Sequence, residues 1–248
     1  MKLIDTFKSP NFNERKANQQ LSYLVLHYTA IVSCQEALEY MCKKKNKVSA
    51  HFLVSKKGEV FYLVDLNKEA WHAGQSYWKG LINLNSSSIG IEIDNSGHHI
   101  YNEDYHHLQI KSLCELINKL VKEYNIFPKN VLGHSDIAPF RKIDPGEKFP
   151  WKELNKKGLS YIPTINMEIA EDESDKYKKI DNQYNKYQDV LSMLGLIGYD
   201  TRGVKIEDQR FKLLIQAYQR HYRQSNVLGK IDKETYKLIK KHYRDVLT

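Results

Sequence analysis

Hydrophobic positions in the first 160 residues switch between two periods. Tyr23-Leu-Val-Leu26 is a continuous apolar run, as a strand buried on both faces requires. Ser33-Cys-Gln-Glu36 has the form of a capping box, and Cys34, Leu38, Met41 and Cys42 then recur at helical spacing. A helix over about 33–45 follows, with both cysteines on its buried face. Phe52–Val54 and Val60–Val64 flank Ser55-Lys-Lys-Gly-Glu59, which predicts a hairpin with Gly58 in its turn. Ser88–Ile93 alternates strictly, with Ile89, Ile91 and Ile93 on one face and Gly90 and Glu92 on the other. Leu113, Leu116, Ile117, Leu120, Val121 and Tyr124 form the stripe of a long helix from about 104 to 124, and Pro128 lies beyond its end. The short apolar pair Val131-Leu132 then leads into Gly133-His134. Strands alternating with helices predict an α/β fold.

The pattern changes near residue 160. Residues 161–175 hold five acidic side chains (Glu168, Glu171, Asp172, Glu173, Asp175) and no Lys or Arg, which predicts a linker over 161–178. Beyond it the pattern is helical. Tyr187, Val190, Leu191 and Leu194 form one stripe, and Phe211, Leu214, Ile215, Tyr218 and Tyr222 a second. Tyr236, Ile239 and Tyr243 form a third, after a cap at Asp232. The expected organisation is a larger α/β domain over 1–160 and a small three-helix domain over 179–248, folded independently of the first.

Composition narrows the function classes. Three cysteines, Cys34, Cys42 and Cys114, are too few and too scattered for a disulfide framework or a four-cysteine zinc site, and all three are expected as buried small hydrophobes. No apolar run approaches the ~20 residues of a membrane span. The N-terminus carries no apolar signal region, which favours a cytoplasmic location. The net charge of +8 suits an anionic partner such as nucleic acid, a membrane surface or a cell-wall polymer. No nucleic-acid motif accompanies the charge.

Candidate chemistry sits at the ends of the predicted strands. His27 follows Tyr23–Leu26, His134 follows Val131-Leu132, and Asp144 stands ten residues on, before a Pro145-Gly146 turn. Two imidazoles, a carboxylate and an open fourth position make a catalytic zinc site; two ordinary buried histidines satisfy the same spacing. Glu92 is a lone carboxylate in an otherwise apolar strand. It is solvated, paired, or faces a cleft, where beside a metal-bound water it would serve as a general base. Lys142, two residues before Asp144, would point the same way in an extended segment and could stabilise an oxyanion; a solvated lysine is the plainer reading. Trp71-His72-Ala-Gly74 with Tyr77-Trp78 reads either as a sugar-binding loop or as a packed surface loop.

Together these segments resemble the type 2 N-acetylmuramoyl-L-alanine amidases, the AmpD/AmiD group. The resemblance covers most of residues 8–155 and rests on seven stretches in the family's order. They are Ser9-Pro-Asn-Phe12, Leu24-Val-Leu-His-Tyr-Thr29, Ser49-Ala-His-Phe-Leu-Val54, Ala70-Trp-His-Ala-Gly74, Ser88-Ile-Gly-Ile-Glu92, Gly133-His-Ser-Asp-Ile-Ala-Pro139 and Arg141-Lys-Ile-Asp-Pro-Gly146. It implies a mixed central β-sheet flanked by helices and one Zn2+ per chain, held by His27, His134 and Asp144. It also implies a catalytic role for Glu92 and Lys142 and substrate contacts from Trp71 and His72. The implied reaction is hydrolysis of the amide between N-acetylmuramic acid, in its ordinary or 1,6-anhydro form, and L-alanine of the stem peptide. That chemistry serves cell-wall turnover or recycling, with peptidoglycan or muropeptides as the partner.

Residues 180–246 resemble a three-helix peptidoglycan-binding module more loosely. The usual glycine-rich turn before its second helix is replaced by Asp200-Thr-Arg-Gly-Val-Lys205. Such a module would place the enzyme in the periplasm or at the wall, against the location the missing signal region suggests. A zinc-free peptidoglycan-recognition protein is a rival on the same fold, but all three ligand positions are filled here.

Overall fold

The computed structural model describes residues 3–165, 183–206 and 208–248. Most of the acidic linker lies outside these residues. The centre of the molecule is a six-stranded mixed sheet, in the order β1 (Leu3–Ile4), β5 (Val60–Tyr62), β4 (Phe52–Val54), β9 (Ser88–Ile93), β3 (Tyr23–Tyr28), β10 (Val131–Gly133). Only the β4–β5 hairpin pairs antiparallel; β4, β9, β3 and β10 run parallel. Two small ribbons lie outside this sheet: β2 (Phe12–Glu14) with β6 (Lys68–Ala70), and β7 (Tyr77–Trp78) with β8 (Leu81–Ile82).

Alternation on β3 and β9 assigns the two faces. Leu24, Leu26, Ile89, Ile91 and Ile93 pack against Ile110, Leu113, Leu116, Ile117 and Leu120 of α2 (His107–Glu123). The stripe read from the sequence is therefore the one buried, although the helix starts at His107 rather than near 104. Helix α1 (Cys34–Cys42) is capped by Ser33, whose hydroxyl accepts from the Glu36 N–H. It covers another part of the sheet with Ala37, Leu38 and Met41. Cys114 is buried, but Cys34 and Cys42 are only half-buried. The expectation of three buried cysteines fails for those two because α1 turns Ala37, Leu38 and Met41 inward instead.

After β10 come two short helices, α3 (His134–Ile137) and α4 (Trp151–Lys156). The C-terminal part folds as three helices, as expected: α5 (Gln183–Ile197), α6 (Gln209–Tyr222) and α7 (Lys233–Leu247). Asp208 and Asp232 cap the last two, accepting from the N–H groups of Phe211 and Thr235. These helices do not stand apart. Tyr23, Val25, Leu132 and Ile137 of the α/β part share one hydrophobic cluster with Val190, Leu194, Tyr199 and Leu214. Gly198 meets the Trp78 ring so closely that a Cβ there would lie 2.7 Å from it, and the Lys79 N–H donates to the Gly198 carbonyl at 2.9 Å. No helix among the described residues is long and apolar enough to cross a membrane.

Candidate active site

Parallel strands deliver side chains to a common edge at their C-terminal ends. His27 is the penultimate residue of β3 and is in register with Glu92 on β9. Both therefore project from the face opposite the Leu24–Leu26 side. His134 opens α3 directly after β10, the strand on the other side of β3. Asp144 comes from the following loop, which is tied back by a bond from the Ser135 N–H to the Asp144 carbonyl at 2.9 Å.

Three ligand-type atoms converge here. His27 Nδ1 lies 2.9 Å from His134 Nδ1, and each lies 3.0 Å from Asp144 Oδ2. All three residues are buried. The surrounding hydrogen bonds fix the ring protons. The Ala73 carbonyl can only accept, so His134 donates to it through Nε2–H at 3.1 Å. Ser88 donates its hydroxyl proton to the Leu84 carbonyl at 2.5 Å, so its oxygen accepts from His72 Nε2–H at 3.2 Å. His72 Nδ1 is then an acceptor, and His27 donates to it through Nε2–H at 3.1 Å. Both Nδ1 atoms face each other and a carboxylate oxygen.

Charge completes this picture. Burial first, and the neighbouring His134 second, bring the His27 pKa down to about 4, so its imidazole is neutral at pH 7. Burial alone would raise Asp144, but the adjoining His134 and His27 outweigh it and hold the carboxyl well below its usual range. Two imidazole nitrogens and a carboxylate oxygen gathered at one point form a donor set complementary to a divalent cation. The group can hold a metal ion.

Glu92 lies beside this group. Burial, then the Asp144 charge, push its pKa well above the ordinary carboxylate range, while Lys142 pulls the other way. Its Oε2 is buried and has no hydrogen-bond partner.

Residues 17–147 match the sequence profile of the N-acetylmuramoyl-L-alanine amidases. The chain belongs to the N-acetylmuramoyl-L-alanine amidase family. The amidase is 33% identical over 234 residues to N-acetylmuramoyl-L-alanine amidase AmiD of Escherichia coli K12, a match covering 88% of this chain and 81% of that relative. It also resembles the crystal structure of AmpDh3 from Pseudomonas aeruginosa, with a TM-score of 0.81, 30% identity and full coverage of both chains. AmiD from E. coli in complex with the substrate anhydro-N-acetylmuramic acid-L-Ala-D-gamma-Glu-L-Lys matches with a TM-score of 0.75 and 29% identity, over 95% of this chain and 98% of that one.

The remaining expected site residues fall at different depths in the amidase. Lys142 is half-buried and close enough to affect the titration of both Glu92 and His27. Trp71 is half-buried, whereas His72 is only 6% exposed and sits behind His27. Its ring fills the space over Gly90, where a Cβ would lie 2.3 Å from His72 Cγ. Sequence reasoning assigned no role to Ser88, Arg141 or Asp136. Arg141 donates to the carbonyls of Ala73 at 2.9 Å and Gln75 at 2.8 Å, which anchors the loop that holds His134.

Proposed function

We propose that this amidase hydrolyses the amide joining the lactyl group of N-acetylmuramic acid to L-alanine of a peptidoglycan stem peptide, using one zinc ion held by His27, His134 and Asp144. The observation that carries the reading is the convergence of two Nδ1 atoms and a carboxylate oxygen within 3.0 Å of one another. The donor set of two imidazoles and one carboxylate is that of hydrolytic zinc with one position left for water or substrate. When bound, zinc supplies Lewis-acid polarisation of the scissile carbonyl and lowers the pKa of a water ligand.

The chain's own residues supply the rest. Glu92, with its free and partly desolvated carboxylate, takes the proton of the attacking water and returns it to the leaving amine of L-alanine. Lys142 places its ammonium where negative charge develops on the carbonyl oxygen. His72 acts on His27 rather than on substrate, since its two ring nitrogens are committed to His27 and Ser88. Trp71, the more accessible of the pair, offers a ring face to the glycan or peptide. The E. coli AmiD complex with an anhydro-muramyl peptide supports a soluble muropeptide as one substrate.

The test uses purified full-length protein with 1,6-anhydro muropeptide and with intact sacculi, products being identified by mass spectrometry. Release of free stem peptide, abolished by a chelator and restored by zinc, is the expected result. Cleavage at another bond, or undiminished activity after the metal is stripped, would overturn it.

A further inference from the structure

Asp136 lies two residues after His134 and is fully buried. Its carboxylate is surrounded by donors from two parts of the chain. Oδ2 accepts from the Gly133 N–H at 2.7 Å, the residue before His134. Oδ2 also accepts from His221 Nδ1–H of α6 at 2.7 Å, and Oδ1 from the Tyr199 hydroxyl at 2.6 Å. His221 is itself clamped, its ring stacked on Trp151 at 3.6 Å between centroids. Just past the end of α6, Gln224 Nε2 donates to the carbonyls of Glu147 and Phe149, each at 2.5 Å, in the loop that follows Asp144. The C-terminal helical unit, through Tyr199, His221 and Gln224, thus holds both segments that bring the candidate ligands in after β10. His27, on the central strand β3, needs no such support.

We propose that Tyr199 and His221 are positioning residues for the metal site: through Asp136 they fix α3, and with it the placement of His134 Nδ1 against His27 and Asp144. A four-residue helix cannot hold its own orientation, because most of its backbone groups have no partner within it. A fully buried carboxyl group is stable only when its polar atoms are hydrogen-bonded. The two donors from the helical unit supply that, and the same bonds close the turn on which His134 stands. Outer hydrogen bonds of this kind commonly change metal affinity by 10–100-fold. The inference rests on the reading of His27, His134 and Asp144 as ligands. It assigns the helical unit a share in the metal centre, whatever that unit binds elsewhere.

The experiment compares the full-length parent with Tyr199→Phe, His221→Ala and His221→Asn. Zn2+ affinity is measured by competition with a chromophoric chelator, the visible spectrum is recorded with Co2+, and thermal unfolding is followed without metal. Tyr199→Phe and His221→Ala are expected to weaken zinc binding about tenfold or more and to shift the cobalt bands. His221→Asn, which keeps an N–H near the place of Nδ1, should recover most of the affinity. A purely structural contact would lower the melting temperature and leave affinity and spectrum alone. Zinc affinity within about twofold of the parent in both variants would therefore overturn the inference; should His221→Ala fail to fold, Tyr199→Phe, which loses one oxygen atom, decides alone. The ligand reading is tested separately by the parent: a parent that binds neither ion overturns that reading, and this inference with it.

Discussion

The His72 imidazole occupies the space that a side chain on residue 90 would need: a Cβ there would fall 2.3 Å from His72 Cγ and 2.5 Å from Cδ2. Gly90 thus bears on the candidate metal site at one remove, because His72 accepts the proton that orients His27. Gly90→Ala should displace the ring or strain β9, at a cost of about 1–3 kcal/mol. Zinc content per chain should fall along with the melting temperature. Normal zinc content in a destabilised variant would separate the packing of His72 from the orientation of His27.

Glu92→Gln keeps the side-chain volume and removes the proposed base. We expect the rate to fall by ~10²–10⁴ while zinc stays bound. In the parent, burial and Asp144 raise the Glu92 pKa, so protonation removes the base as pH falls, above the range of an exposed carboxylate. The acid limb of kcat/KM should therefore lie above about pH 4.3 and be missing from the residual activity of the variant. A variant that keeps the same acid limb would assign that limb to another group.

Lys142→Met should lower kcat more than it raises KM, since an ammonium aimed at developing oxyanion charge contributes most in the transition state. The reverse split would place Lys142 in substrate binding.

Buried neutral histidines make the fold sensitive to acid. Burial lowers both His51 and His242 to about 3, with His221 adding to the effect on His242. Their unfolded counterparts titrate near 6.5. The unfolded chain therefore takes up more protons below pH 6.5, and stability present in full above that pH is lost as pH falls towards 3. Each histidine costs about 1.4 kcal/mol per pH unit in this window, or about 2 kcal/mol at pH 5. His242 packs among Tyr161, Tyr218 and Tyr222, and its Nδ1 has no hydrogen-bond partner. His242→Phe should flatten the fall in metal-free stability between pH 7.5 and 5. An unchanged slope would show that His242 titrates normally in the folded chain.

Local pattern carried the strands and most helices. Tyr23–Leu26 and Ser88–Ile93 were legible because burial of both faces, or of one, leaves a direct trace in apolar order. The capping residues Ser33 and Asp232 marked helix starts because their side chains bond within three residues of themselves. The histidines and Asp144 could be found individually but not joined: spacings of 107 and 10 residues constrain no distance until the parallel strands bring their ends together. His72 was read as a contact for substrate because Trp71-His-Ala-Gly74 looks like a loop. Its burial depends on the room left by Gly90, eighteen residues further on, and no local pattern shows that. The bond between Asp136 and His221 spans 85 residues. Its one trace was a histidine inside the apolar stripe between Tyr218 and Tyr222.

The hydrophobic cluster shared by Tyr23, Val25 and Leu132 with Val190, Leu194 and Leu214 bears on the order of events during synthesis. The α/β part leaves the ribosome first, and domains generally fold in that order. Its sheet can assemble then, but the face over Val25 and Leu132 stays wet until α5 and α6 have emerged. The last strand to join, β10, is also the one that leads into His134. A nascent chain halted before α6 would carry every ligand residue and still present an oily flank to its neighbours, which makes premature termination here a route to aggregation rather than to a smaller working enzyme.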